Sequence, residues 1–133
     1  MQPRRDMDLV RALLLRLEAW QMEAGDVFSI PPDDPHLAVD GYEPAQIEYH
    51  LSLLRGERFI DCPGSQPMLG ITFAGVTWKG HDFLDQIRDP AIWNETKEGL
   101  RKAGGFSFDL LNALAKGFIK KKIEQHTGIQ LDL

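Results

Sequence analysis

Residues 58–73 read RFIDCPGSQPMLGITF, and the way this stretch is divided decides what fold the chain can adopt. Arg58 to Cys62 has strand character. Pro63-Gly64-Ser65-Gln66-Pro67 is a turn, because two prolines and a glycine can continue neither helix nor ladder. Met68 to Phe73 then resumes as a second strand in which Leu69, Ile71 and Phe73 alternate inward. A strand, a turn and a strand in immediate succession predict a β-hairpin.

Working outward, both flanks are helical. Pro44 at a first helical position opens a helix to Arg55, with Ile47, His50, Leu51 and Leu54 on one face and Gly56 as its end. Its other face carries Ala45, Glu48, Tyr49, Ser52 and Arg55. After the hairpin, Thr77 caps a helix to Arg88 whose inward stripe is Gly80, Phe83, Leu84 and Ile87. Nearer the N-terminus, Asp6 caps a helix to about Ala24 through Val10, Leu13, Leu14, Leu17 and Trp20, with Gly25 as its stop. Val27 to Ile30 is a short strand before the breaker run Pro31-Pro32-Asp33-Asp34-Pro35. Beyond the centre, Asp89-Pro90 starts a helix through Ile92, Trp93, Thr96 and Leu100, and Gly104-Gly105 breaks it. Ser107 caps a last helix to about Thr127, with Leu110, Leu111, Leu114, Phe118 and Ile123 as apolar positions, ended by Gly128 before the tail Ile129-Gln130-Leu131-Asp132-Leu133.

The order helix, short strand, helix, hairpin, helix gives an α+β class, mostly helical, with a winged-helix-like core over 1–89. Two additional C-terminal helices follow over 90–128, then an apolar tail over 129–133. At 133 residues the chain suits one domain with one core. The Pro-rich stretch from Ile30 to Gly41 stands where a full winged helix carries a further short helix. From this fold class to DNA binding is analogy alone.

Composition narrows the function. Cys62 is the only cysteine, so no internal disulfide exists and a reducing compartment is the natural setting. Arg11 and Arg16 interrupt the apolar run a signal segment would need, and no stretch approaches the roughly 20 apolar residues that span a bilayer. The expectation is a cytoplasmic protein with no membrane partner. The net charge of −5 argues against coating nucleic acid by charge neutralisation. Residues 1–98 nevertheless hold 9 basic and 17 acidic residues, while 99–133 hold 6 basic and 3 acidic. Any polyanion contact therefore belongs to the C-terminal part.

Three pieces of the sequence resemble a bacterial and prophage family catalogued as domain of unknown function 2513. They are Arg5-Asp6-Met7-Asp8-Leu9-Val10-Arg11, then Ile47-Glu48-Tyr49-His50-Leu51-Ser52-Leu53-Leu54, then Thr77-Trp78-Lys79-Gly80-His81-Asp82-Phe83-Leu84-Asp85-Gln86-Ile87-Arg88-Asp89 with Trp93 and Lys97. The resemblance spans roughly residues 4 to 100 in the family's order. It implies a small stand-alone protein of bacterial or phage genomes and brings no activity with it. One departure is Arg55-Gly56-Glu57-Arg58-Phe59-Ile60, where the family more often has an apolar helix end.

Few residues offer chemistry. His81 with Asp82 and Asp85 is the strongest metal or proton-relay cluster, but at 100° per residue His81 points away from Asp82, and capping of the helix start explains all three. His50, among Ile47, Leu51 and Leu54, reads as a buried imidazole bonded to backbone. His36 falls in a loop and His126 at a helix end. Cys62 reads as a half-buried hydrophobe, and Trp78 and Trp93 as core or core-rim residues. No Gly-rich phosphate loop, nucleophile elbow or zincin motif is present, so no cofactor, catalytic residue or metal is expected.

The first functional reading is thus a nonenzymatic regulator or adaptor that binds nucleic acid or a nucleic-acid-handling protein. Its contact residues would be Tyr49, Ser52, Arg55 and Arg58, with Lys116, Lys120, Lys121 and Lys122 on the last helix. Glu43 and Glu48 oppose a phosphate contact there. The alternative is a protein-interaction or homodimer module using the last helix and the tail residues Ile129, Leu131 and Leu133. A small metal-dependent enzyme built on His81, Asp82 and Asp85 ranks third.

Overall fold

The computed structural model describes residues 3–130 and shows a mostly helical α+β fold in two compact units, one through Leu84 and one from Asp85. The first unit begins with α1 (Met7–Glu18). Asp6 caps it, Oδ1 accepting from the amides of Asp8 and Leu9 at 2.9 and 3.3 Å. Leu9, Leu13, Leu14 and Leu17 repeat at helical spacing, and all are buried. The helix ends six residues before the expected Ala24. Asp26 Oδ2 accepts the Glu23 amide at 2.8 Å and Gly25 takes φ +89°, so residues 23–26 close a turn of their own. Trp20 is thereby released from the helical face.

Next come β1 (Phe28–Ile30) and a 3-10 turn, Pro35–Leu37, which buries Leu37. α2 (Pro44–Gly56) carries a capping box between Glu43 and Gln46 and the expected proline in its first turn. Ile47, His50, Leu51 and Leu54 are all buried, as their spacing requires.

The ribbon differs from the one the sequence predicts. β2 (Ile60–Asp61) lies within the expected first strand, but it pairs antiparallel with β4 (Gly75–Val76), in the register Ile60↔Val76. β3 (Ile71–Phe73) pairs with β1 instead, in the register Phe28↔Phe73, Ser29↔Thr72 and Ile30↔Ile71. Ala74 joins β3 to β4 and donates its amide to Asp61 O at 2.8 Å. Residues 71–76 thus serve two partners.

Two residues explain the change. Gln66 spans the connection, its Nε2 donating to Cys62 O at 3.1 Å and its Oε1 accepting the Thr72 amide at 3.0 Å, which makes a long tied loop of the expected tight turn. Gly70, at φ +85°, lies so close to β1 that a Cβ there would sit 2.1 Å from Ile30 O. That approach sets Ile71 opposite Ile30. Ile71 and Phe73 point inward as expected, whereas Leu69 is 61% exposed.

α3 (Trp78–Ile87) starts on Thr77, whose Oγ1 accepts the Gly80 amide at 3.1 Å. Its stripe of Gly80, Phe83, Leu84 and Ile87 is buried. In the second unit, Asp89 caps α4 (Pro90–Lys102) and Ser107 caps α5 (Phe108–Thr127), which pack against each other through Gly99 and Leu114. Ile92, Trp93, Thr96 and Leu100 are buried on α4, and Leu111 and Ala115 on α5. Gly128, in the left-handed conformation, ends α5.

His50 ties the first unit together. Its Nε2 accepts the Asp6 amide at 2.8 Å and its Nδ1 faces Gln46 O at 2.8 Å. Because a carbonyl only accepts and an amide only donates, Nδ1 carries the hydrogen. Asp6 Oδ2 accepts the Tyr42 hydroxyl at 2.6 Å, and this bond, with some burial, pushes the Tyr42 pKa up to about 12. His50→Ala is expected to lower stability by about 2–4 kcal/mol, through the cavity and the orphaned amide. His50→Gln, which can still accept from Asp6, should cost about 1 kcal/mol, and urea denaturation separates the two.

Candidate functional site

Tyr49, Ser52 and Arg55 share one face of α2, as their spacing demands, but that face is not open. Tyr49 and Ser52 are half-buried, Ser52 Oγ donates to Tyr49 O at 2.6 Å, and the Tyr49 ring meets His50 edge-on at 5.5 Å. Glu48 Oε2 accepts the Gly70 amide at 2.6 Å, so the loop between β2 and β3 is fastened to this helix. Arg55, also half-buried, stands near enough to Cys62 to favour its thiolate, yet burial dominates and pushes the Cys62 pKa up to about 11. Glu48, expected from its charge to repel phosphate, is a structural clip.

Arg58 is exposed and unusual. It follows α2 in a Schellman arrangement, in which the Phe59 amide donates to Leu54 O and the Arg58 amide to Arg55 O, both at 3.0 Å. Arg58 occupies the left-handed position at φ +60°, where glycine is the ordinary choice.

The lysines lie on α5. Lys116, Lys121 and Lys122 are exposed and Lys120 is half-buried. Lys122 is ion-paired with Asp89, and that bond, with the Ala91 and Ile92 amides, holds the Asp89 carboxyl below its usual range. Of the apolar tail, Ile129 is exposed, and Leu131 and Leu133 lie outside the described residues.

His81 takes a partner that no local spacing reveals. Its Nδ1 is 2.9 Å from Glu18 Oε2, at the end of α1, while Asp85 pairs with Arg88. Among the described residues, no three His, Cys, Asp or Glu side chains converge as metal ligands. The His81–Glu18 pair lines an open cleft of about 370 Å³ with Trp20, Met22, Glu23 and residues 74–76.

The largest departure from expectation is Trp78. Trp93 is buried as anticipated, but Trp78 is 88% exposed. Two residues before Gly80, it sits on the opposite side of the helix, roughly 170° from the centre of the buried stripe, a signal already contained in the spacing. Its support is rigid. Thr77 donates its hydroxyl to Arg58 O at 2.7 Å and its amide to Phe59 O at 3.0 Å. Lys79 Nζ donates to Glu57 O at 3.0 Å and lies over the Phe59 ring. Phe59 stacks on Phe83, with centroids 5.0 Å apart, and a Cβ on Gly80 would come within 2.2 Å of Phe59 O. Arg58, Trp78 and Lys79 therefore project from one pinned junction.

The family model described as hypothetical protein (DUF2513) matches residues 4–107. The chain belongs to this family. An uncharacterised protein of Haemophilus influenzae is 28% identical over 123 residues, covering 90% of this chain and 98% of the relative. No solved structure matches the chain. No helix among the described residues of this DUF2513 chain is long and apolar enough to cross a membrane.

Two substitutions test this geometry. Arg58→Gly should raise stability by about 1 kcal/mol in urea denaturation, because it relieves the left-handed backbone. Cys62 should react slowly with alkylating reagents at pH 8, because a thiol pushed up to about 11 by burial holds roughly 100-fold less thiolate than in the unfolded chain. The same elevation favours the folded protein up to about pH 9 and is lost as pH rises through 11, a segment of the pH profile that Cys62→Ala removes.

Proposed function

We propose that this DUF2513 chain is a nonenzymatic, winged-helix-like adaptor or regulator that engages a protein partner through the Trp78 junction. The observation that carries the reading is an 88%-exposed tryptophan on a frame fixed by Thr77, Lys79 and Gly80. Exposing so large a ring to water forgoes burial worth about 2–3 kcal/mol, and tryptophan and arginine are the residues most enriched at interface hot spots. Little loop entropy remains to be lost when such a frame meets a partner. The strand 71–76 between β1 and β2 supports the winged-helix-like likeness.

Direct nucleic-acid contact through α2 has less support. Its outer face is half-buried and clipped by Glu48 to Gly70, and residues 1–84 hold 7 basic and 13 acidic residues, a balance of −6. A nucleic-acid-handling protein is the better occupant.

The test uses the full chain as bait in lysate of its source cells, beside Trp78→Ala. The variant should melt with the unmutated protein, since its side chain packs on little. It should lose about 2 kcal/mol of binding, roughly 30-fold, to the captured partner. Equal capture by both proteins would sink the reading. A low-salt gel-shift series with DNA and RNA is expected to show no retardation, and a shift there would restore the nucleic-acid alternative.

A further inference from the structure

We propose that the concavity between the end of α1 and the 3-10 turn Pro35–Leu37 binds a small planar anion, a flat ring carrying a carboxylate or phosphate. The site lies in the first unit, apart from the Trp78 junction. It has a volume of about 300 Å³ and is walled by Arg16, Ala19, Trp20, Gln21 and His36. That size is at the lower end for small-molecule sites, and a mostly apolar wall with a few directed polar groups is their usual character.

Each polar group is held from behind. Arg16 Nε donates to Ala38 O at 3.0 Å, which fixes the guanidinium plane while its two terminal nitrogens extend beyond that bond. His36 Nδ1 lies 3.0 Å from Asp34 Oδ1, the oxygen that also accepts the His36 amide at 2.8 Å. The opposite ring nitrogen, Nε2, therefore points away from Asp34. Trp20, freed by the early end of α1, sets its ring edge-to-face against His36 with centroids 5.5 Å apart. Leu37, fully buried beneath it, anchors the turn.

The chemistry follows from these positions. A guanidinium beside an indole accepts an anionic group on one side and a flat ring on the other, the ring stacking on Trp20 as the anion takes paired hydrogen bonds from Arg16. Gln21 adds an amide that can donate or accept. Asp34 keeps its charge but stands behind His36 and is not part of the wall, in which Arg16 is the permanent charge.

Nuclear magnetic resonance titration of the full chain, read at the Trp20 indole and Arg16 Nε–H signals, tests the site with four probes. Adenosine monophosphate and phenylacetate each carry a ring and an anion, adenosine carries the ring alone, and inorganic phosphate the anion alone. At least one ring-and-anion probe should bind with a Kd near or below about 1 mM, at least about tenfold tighter than adenosine or phosphate. Preference for the nucleotide or for the carboxylate identifies the source. Arg16→Gln and Trp20→Leu should each weaken that probe by about tenfold. If Arg16→Gln loosens the loop, His36→Ala takes its place, because its side chain is 80% exposed, and it should weaken binding by about threefold or more. Three results would overturn the proposal: no shift from either ring-and-anion probe up to about 10 mM, phosphate alone binding as well, or unchanged affinity in these variants. None depends on Trp78, so this site and the adaptor reading can fail separately.

Discussion

The arrangement of the first unit hangs on one buried imidazole that joins the start of α1 to the second turn of α2. His50 takes the Asp6 amide on one nitrogen and gives its hydrogen to Gln46 O from the other, while Asp6 itself caps α1 and receives the Tyr42 hydroxyl. One carboxylate and one ring thus satisfy amides, a carbonyl and a phenol that would otherwise be stranded at the junction of two helices. With α1 and α2 held there, the leucines of α1 and the buried face of α2 are committed to a common core. The strands can then only fill the remaining sides.

What was legible in the sequence was local. Asp6, Thr77, Asp89 and Ser107 each cap a helix as their residue types predict, because a cap depends on the next two or three amides. The inward faces of α2, α3 and α4 were equally readable from apolar spacing, as was the buried, backbone-bonded His50. Strand pairing was not. Ile30 and Ile71 are far apart in the chain, and their register depends on Gly70 fitting under Ile30 O, which no window of neighbouring residues encodes.

The candidate site divides in the same way. The α2 face could be listed residue by residue, yet its partial burial arises from Glu48 reaching 22 positions ahead to Gly70. His81 was singled out for its acidic neighbours in sequence and instead meets Glu18, 63 positions earlier. Trp78 is the instructive case, because its exposure follows from helix geometry alone once Gly80, Phe83, Leu84 and Ile87 are taken as the buried stripe. Angular position, not aromatic bulk, decides its exposure.

The two halves of the β2–β3 region tolerate a change of length unequally. The tip around Pro63, Gly64 and Ser65 faces solvent, and Gln66 reaches across it with a flexible amide, so lineages can lengthen or shorten the tip with little damage. From Gly70 to Val76 no such latitude exists. One inserted residue would turn Ile71 and Phe73 out of the core and misalign both ladders at once, so length drift among relatives should stop abruptly at that glycine.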